Sequence, residues 1–299
     1  MIVKFCDGTQ IRQDLIKSAI LRRDLAPIPE TFEGEFRIDK GLESKIVEGA
    51  KLKIGGAESV HRIIKVERNS ERVMQAHREY GAFRITTLLD SCHKLAFVRA
   101  PGNAVIKEDA AISCIYRACG ATTGIQGCFP VPRFTCLVGE TPTFHIARLL
   151  QEAAGSIRHK CGSLQFKKYQ DMLSQKEVVE LQDNGEGGVD TGFLERHEVP
   201  WFFATKPDAS FDFGKRCKPR AARFAPLRGG CALGKMTDAL VLKKVLHVDH
   251  MEQVHAGDSV KLVSDGSKLV VTTVAHVYNS GTDGSAEKHY SRIWLSSVE

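Results

Sequence analysis

Residues 137–166, LVGETPTFHIARLLQEAAGSIRHKCGSLQF, decide how the rest of the chain is read. Thr141 stands at a helix-cap position, and Pro142 takes the first helical position, where its missing N–H costs nothing. Phe144, Ile146, Ala147, Leu149, Leu150 and Ala153 follow at helical spacing, and Gly155 suits a left-handed stop. The period then changes. Residues 156–159 and 164–166 read as two short strands around a turn at Cys161-Gly162-Ser163. A lone amphipathic helix feeding a hairpin cannot bury its own apolar face, so the flanks must supply a sheet. Both flanks carry strand patterning, and the helical unit therefore reads as an insertion between two β regions.

Composition sets the outer bounds. With 299 residues and 42% hydrophobic content, the chain can bury a sizeable core in one to three domains. Apolar alternation and Gly-rich turns throughout exclude helix-only and disordered classes. No apolar run approaches a membrane span, and Met1-Ile2-Val3-Lys4 opens no signal peptide, so the expectation is a chain assembled in a cytoplasm. Nine scattered cysteines, odd in number and without a CxxC pair, read as reduced thiols. The net charge of +6 is modest and favours acidic partners only weakly.

Residues 1–98 read as a mostly β domain. Residues 15–21 suit either helix or strand. Residues 31–39, TFEGEFRID, alternate Phe32, Gly34, Phe36 and Ile38 against charged neighbours, which is half-buried strand patterning. Further strands are expected at 51–54, 60–68, 80–89 and 93–99, a spacing that suits a small antiparallel barrel or sandwich. Residues 99–170 form an α+β insertion with helices near 108–118 and 142–154. Residues 171–299 begin as a linker with a turn cluster at 183–188, then return to β at 201. There, strands at 241–249, 259–263, 268–278 and 292–295 include a hairpin signal at Asp265-Gly266.

Several motifs invite chemistry. Gly229-Gly230-Cys231-Ala232-Leu233-Gly234-Lys235-Met236 nearly matches a P-loop, but Met236 replaces the magnesium-binding hydroxyl and no buried strand leads in, so a turn-rich connection is expected. Asp190-Thr191-Gly192 matches the aspartic-protease triplet, yet one copy would need a second chain to form the carboxylate pair. His247, His250 and His255 cluster in sequence, but on a strand His247 and His250 face opposite ways. A zinc site from Cys114, Cys119, Cys128 and Cys136 with His93 or His159 lacks a diagnostic spacing. No catalytic, cofactor-binding or metal-ligating residue is assigned. The remaining candidate is a run of Lys215, Arg216, Lys218, Arg220, Arg223, Arg228 and Lys235 without an acidic residue among them, a solvated loop or a contact for an acidic partner.

The order of parts resembles a known family. A β opening with TFEGEFRID and EGAKLKIGG leads to V-G-E-T-P-x-x-H-I-A-R-L-L-Q-E-A-A-G and a hairpin ending G-S-L-Q-F. H-A-G-D-S-V and V-V-T-T-V-A-H-V-Y-N-S-G close the chain. This resembles the baseplate hub proteins of phage tails, the late control protein D family, and the hub part of type VI secretion spikes. The resemblance implies two tube-like β-barrels, at 1–98 and within 171–299, around the α+β insertion. It implies a non-enzymatic structural virion protein, a late protein of tail assembly that works as a homotrimer. Such a trimer joins the sixfold tail tube to the threefold spike and lines the tail channel, where the genome passes without specific binding. Expected partners are the tail tube or distal tail protein, the spike and the tape measure protein, with no cofactor and no membrane insertion. The expected location is the virion baseplate, after assembly in the host cytoplasm. The competing expectation is an enzyme, a peptidase using Asp190 or a nucleotide-binding protein using Lys235.

Overall fold

The computed structural model describes residues 1–38, 40–55, 59–75, 78–99, 104–183, 200–216, 220–226, 228–281 and 286–298. The first part carries strands β1 (Val3–Phe5), β2 (Ile16–Asp24) and β3 (Glu30–Ile38), the one-turn helix α1 (Lys40–Glu43), and β4 (Lys51–Ile54), β5 (Ser59–Gln75) and β6 (Arg78–Leu89). The middle part follows as β7 (Val105–Ala111), α2 (Ile112–Ala118), β8 (Ile125–Gln126), β9 (Pro130–Cys136), α3 (Pro142–Glu152), β10 (Gly155–Lys160), β11 (Ser163–Lys168) and α4 (Tyr169–Ser174). The last part comprises β12 (Val179–Leu181), β13 (Trp201–Thr205), β14 (Phe211–Phe213), β15 (Ala222–Phe224), α5 (Gly230–Met236), β16 (Leu240–Asp249), β17 (Ser259–Leu262), β18 (Lys268–Asn279) and β19 (Lys288–Val298). The class is mainly β with an α+β middle part, as the patterning implied.

One large sheet runs β1-β4-β5-β6-β3-β2-β18-β17-β12, and β19 pairs both β18 and β16. The two β regions thus share a sheet, joined where β2 lies antiparallel to β18 from Ser18↔Asn279 to Asp24↔Thr273. The alternation in β3 is realised: Phe32, Phe36 and Ile38 are buried, and each such side chain contributes about 1.5–3 kcal/mol. Gly34 is required between them, because a Cβ there would stand 2.5 Å from the Phe36 ring. Separate apolar clusters fill the parts. Phe32, Phe36, Ile54 and Ile85 lie in the first, Tyr116, Phe134, Ile146 and Leu164 in the middle, and Leu246, Val260, Val274 and Ile293 in the last.

Helix α3 buries Ile146, Leu149 and Leu150, whereas Phe144 turns outward and Pro142 takes its place inside. Thr141 occupies the cap position, but its side chain makes no capping hydrogen bond. The left-handed residue after the helix is Ala154, at φ +50°, and not Gly155. Gly155 opens β10 where a Cβ would meet the Lys167 carbonyl oxygen at 2.5 Å. The predicted hairpin forms with Lys160 opposite Ser163, so Cys161 and Gly162, both at positive φ, make the two-residue turn.

Four expectations are corrected. Residues 108–111 extend β7 rather than α2, because the chain pairs with β9 up to Ala111↔Pro130. Residues 93–96 form a 3-10 turn instead of a strand, with Leu95 buried in the middle cluster. The expected linker includes α4 and β12, the latter lying parallel to β17. The glycine-rich 229–236 run is helix α5, held by Leu233 and Met236 in a small cluster with Phe202, Ala204 and Ala225.

A buried polar network joins the three parts. Arg23 of β2 donates through Nε to Glu30 Oε1 of β3 at 3.0 Å, and both side chains are buried. His159 of β10 places Nδ1 3.1 Å from the same Oε1, and His61 of β5 places Nε2 3.5 Å from Oε2. Arg23 Nη1 also reaches the Glu252 carbonyl at 3.3 Å and His276 Nε2 at 3.2 Å. An arginine can only donate, so His276 Nε2 accepts and its Nδ1–H donates to Ser291 Oγ at 2.9 Å. Burial, reinforced by the Arg23 charge, pulls His276 down to about 3. Burial opposes ionisation of Glu30, but contacts from His159 and His61 and the Arg23 charge outweigh it, holding the carboxyl well below the usual range.

Candidate partner-contact surface

The basic run falls in and beside a small three-stranded sheet, β14-β13-β15. β14 is antiparallel to β13, with Phe203 opposite Phe213, while β15 is parallel, with Phe203 opposite Phe224. Strand alternation sorts the side chains. Phe202 and Ala204 face α5 and are buried with Leu233 and Met236. Trp201, Phe203, Phe211, Phe213 and Phe224 gather on the other face, Phe203 lying 5.5–6.4 Å by ring centroid from the four others. Phe211 is 57% exposed, Phe224 49% and Phe213 38%. Single exposed apolar residues are ordinary, but here five rings adjoin on one face.

The cations of the run divide by their surroundings. The Arg216 guanidinium lies 3.7 Å from the centroid of the Phe213 ring, adding positive charge to the aromatic face. Arg223 on β15 and Lys235 in the last turn of α5 are exposed. Arg220 is buried and donates to the Thr237 carbonyl at 2.6 Å. Lys215 pairs with Asp238, and Arg228 pairs with Glu152 of α3. Lys218 lies outside the described residues. Helix α3 positions this unit: Gln151 Nε2 donates to the Met236 and Asp238 carbonyls, each at 2.9 Å. Charge alone located the region, whereas the aromatic face was missed. Its signal was present in Trp201-Phe202-Phe203 and in Phe211-Asp212-Phe213, where period-two spacing puts two rings on one face of each strand.

The other sequence candidates are dispersed. Lys235 sits on a helix end, and with α5 continuous through Gly230–Met236 the run makes no phosphate-cradling loop. Asp190, Thr191 and Gly192 lie outside the described residues. His247 stacks on Tyr290 at 5.4 Å and His250 on His289 at 3.8 Å, separate from each other. Among the described residues, Cys136 converges with Glu140 and His145 rather than with the other cysteines, His93 or His159. No described helix is long and apolar enough to cross a membrane.

One sheet shared by both ends of the chain, with an α+β unit between them, makes a fold similar to that of solved prophage tail proteins. No protein-family model and no curated protein matches the sequence. Solved structures do match. The 43 kDa tail protein of prophage MuSo2 from Shewanella oneidensis superposes with a TM-score of 0.63 at 11% identity, over 99% of this chain and 97% of that one. A tail protein from Neisseria meningitidis gives 0.65 at 10% identity, over 99% and 95%. The Francisella PdpA-VgrG complex gives 0.53 at 6% identity, over 99% of this chain and 52% of that one. At these identities the likeness is one of fold.

Proposed function

We propose that this chain is a structural hub of a phage tail baseplate, working as a homotrimer between the sixfold tail tube and the threefold spike. The observation that carries the reading is the match to prophage tail proteins along almost the whole of both chains. In this reading residues 1–98 and 171–299 supply tube-like β domains, six in a trimer, and residues 99–170 brace them. The wall they form surrounds the tail channel, through which the genome passes without specific binding. Partners are the tail tube or distal tail protein, the spike and the tape measure protein, and the protein resides in the virion after assembly in the host cytoplasm. It is not an enzyme, and Lys235→Ala or Asp190→Ala leaves assembly unchanged.

The basic, aromatic face of β13–β15 is then a contact for a neighbouring tail subunit. Arg216 gives that face a positive charge that suits acidic side chains, while the rings supply the apolar centre typical of stable interfaces. The test is light scattering on the purified chain, alone and with the candidate tube and spike proteins. A mass near three times 33.0 kDa, alone or on the spike, is expected. A dimer under both conditions refutes the threefold hub. Phe211→Ser with Phe224→Ser should leave the chain folded and abolish binding of one neighbour, and retained binding of all of them removes this face from the proposal.

A further inference from the structure

A second cluster lies away from the aromatic face. β9 ends at Cys136, which pairs with Val105 of β7. The chain then turns through residues 137–140, with Gly139 at φ +84° and Glu140 N–H donating to the Leu137 carbonyl at 3.2 Å. Helix α3 follows at once and carries His145 near its start. The turn is pinned from outside, because Arg99 N–H donates to the Glu140 carbonyl at 2.9 Å and Gly139 N–H to the Arg99 carbonyl at 3.0 Å. One ligand atom each from Cys136, Glu140 and His145 then lies within 4.8 Å of the other two.

The three groups are held, not merely near. His145 Nε2 is 3.1 Å from Glu140 Oε2, and Leu137 N–H donates to that same oxygen at 2.6 Å. The thiol of Cys136 points at the Glu140 carbonyl, 3.9 Å away. The His145 ring is set edge-on between Phe134, at 6.3 Å and 87°, and Phe144, at 5.4 Å and 90°. That contact gives the outward-facing Phe144 a role the apolar pattern of α3 does not explain. Glu140 and His145 also border an open cleft of about 440 Å³ that includes Arg133, Arg148 and Arg228.

We propose that Cys136, Glu140 and His145 form a zinc(II) site, closed by the protein on three sides and open to the cleft on the fourth. A thiolate, an imidazole and a carboxylate are the donors that Zn²⁺ accepts in tetrahedral sites, whereas Mg²⁺ and Ca²⁺ select oxygen alone. Binding replaces the thiol proton of Cys136, which is released to solvent, and turns the Glu140–His145 contact into two metal bonds. The fourth ligand is water or an anion entering from the cleft. The ion would staple the end of β9 to the start of α3, the helix on which the aromatic unit rests.

Cobalt(II) titration of the reduced full-length chain tests this. The expected result is a thiolate-to-cobalt charge-transfer band that saturates at one equivalent and is displaced by zinc. Cys136→Ser should abolish the band, while Cys161→Ser and Cys231→Ser, both at exposed cysteines, should leave it intact. His145→Gln changes a half-exposed side chain and should weaken cobalt binding by more than about tenfold, the scale at which even outer-shell partners act. Should Cys136→Ser fail to fold, His145→Gln carries the test alone. No band in the wild type, a band that survives Cys136→Ser in a folded protein, or unchanged affinity in His145→Gln overturns the site. None of these outcomes bears on trimer formation, so the hub reading stands or falls separately.

Discussion

Replacing Glu30 by glutamine keeps the size of the side chain and removes the negative charge from the network that joins the three parts. Arg23 then remains buried, 3% exposed, with its guanidinium facing His276 and the Glu252 carbonyl but no carboxylate. Breaking a buried ion pair by removing one partner costs about 3–5 kcal/mol, since the other charge stays out of water. The amide oxygen of the introduced glutamine can still accept one hydrogen bond, so the lower end, about 3 kcal/mol, is expected. At about 2–4 °C per kcal/mol this lowers Tm by on the order of 10 °C. The assay is urea unfolding followed by tryptophan fluorescence, because Trp294 lies on β19, next to β18 and two strands from Arg23.

The pH dependence sharpens the test. The folded Glu30 carboxyl sits well below its unfolded value of about 4.3, so its stabilisation is complete above that pH and disappears as pH falls through the folded value. The gap between wild type and Glu30→Gln should therefore be constant from neutral pH down to about pH 5 and narrow below that. His276 acts in both proteins. Its folded value near 3 against about 6.5 unfolded means the unfolded chain binds the proton first, and stability falls by up to about 1.4 kcal/mol per pH unit below 6.5. Subtraction of the two curves cancels that slope. A gap under about 1 kcal/mol at neutral pH, or one that does not narrow in acid, refutes the reasoning.

Gly155→Ala should destabilise the chain by about 1–3 kcal/mol in the same assay, because the new Cβ meets a main-chain oxygen of β11 and cannot relax without opening the hairpin. A neutral result would mean that β10 and β11 separate more easily than their register implies. Thiol alkylation near pH 8 should label Cys6, Cys114, Cys128, Cys161 and Cys231 quickly and leave Cys92 and Cys119 unmodified until the chain unfolds. Burial pushes Cys92 up to about 12 and Cys119 up to about 11, so neither supplies thiolate at that pH. Peptide mass mapping reads this directly, and rapid labelling of Cys92 in the native protein would show that the middle core opens.

How much of this the sequence disclosed follows from which interactions are local. The alternation in β3 was legible because one face of that strand is buried and the other charged, and period two survives any change of neighbour. The hairpin was legible from the strand patterning on either side of Cys161-Gly162, although Ser163, expected in the turn, pairs with Lys160 and opens β11. The pairing of β2 with β18 was not. Each strand is visible alone, but nothing in residues 16–24 names a partner some 250 positions later. Helix α5 was hidden for another reason: three glycines in 229–234 argue against helix locally, and the packing of Leu233 and Met236 under β13 overrides them. The aromatic face needed three short strands brought together, so its rings were scattered until the topology was known.

The buried polar contacts fix how the parts of the chain sit on one another. Here they bridge segments: Arg23 and Glu30 to His159 and His276, Arg158 of β10 to Asp258 at 3.0 Å, and Gln151 of α3 to the Met236 and Asp238 carbonyls. Apolar contact alone tolerates sliding, whereas a buried charge that loses its partner costs several kcal/mol. Docking of the middle part on the shared sheet is therefore fixed in position as well as favoured. In a proposed hub that fixity has a direct use, because barrels meeting neighbours above and below must keep their spacing while the partners bind. Weakening these bridges should accordingly impair assembly before it unfolds any single part.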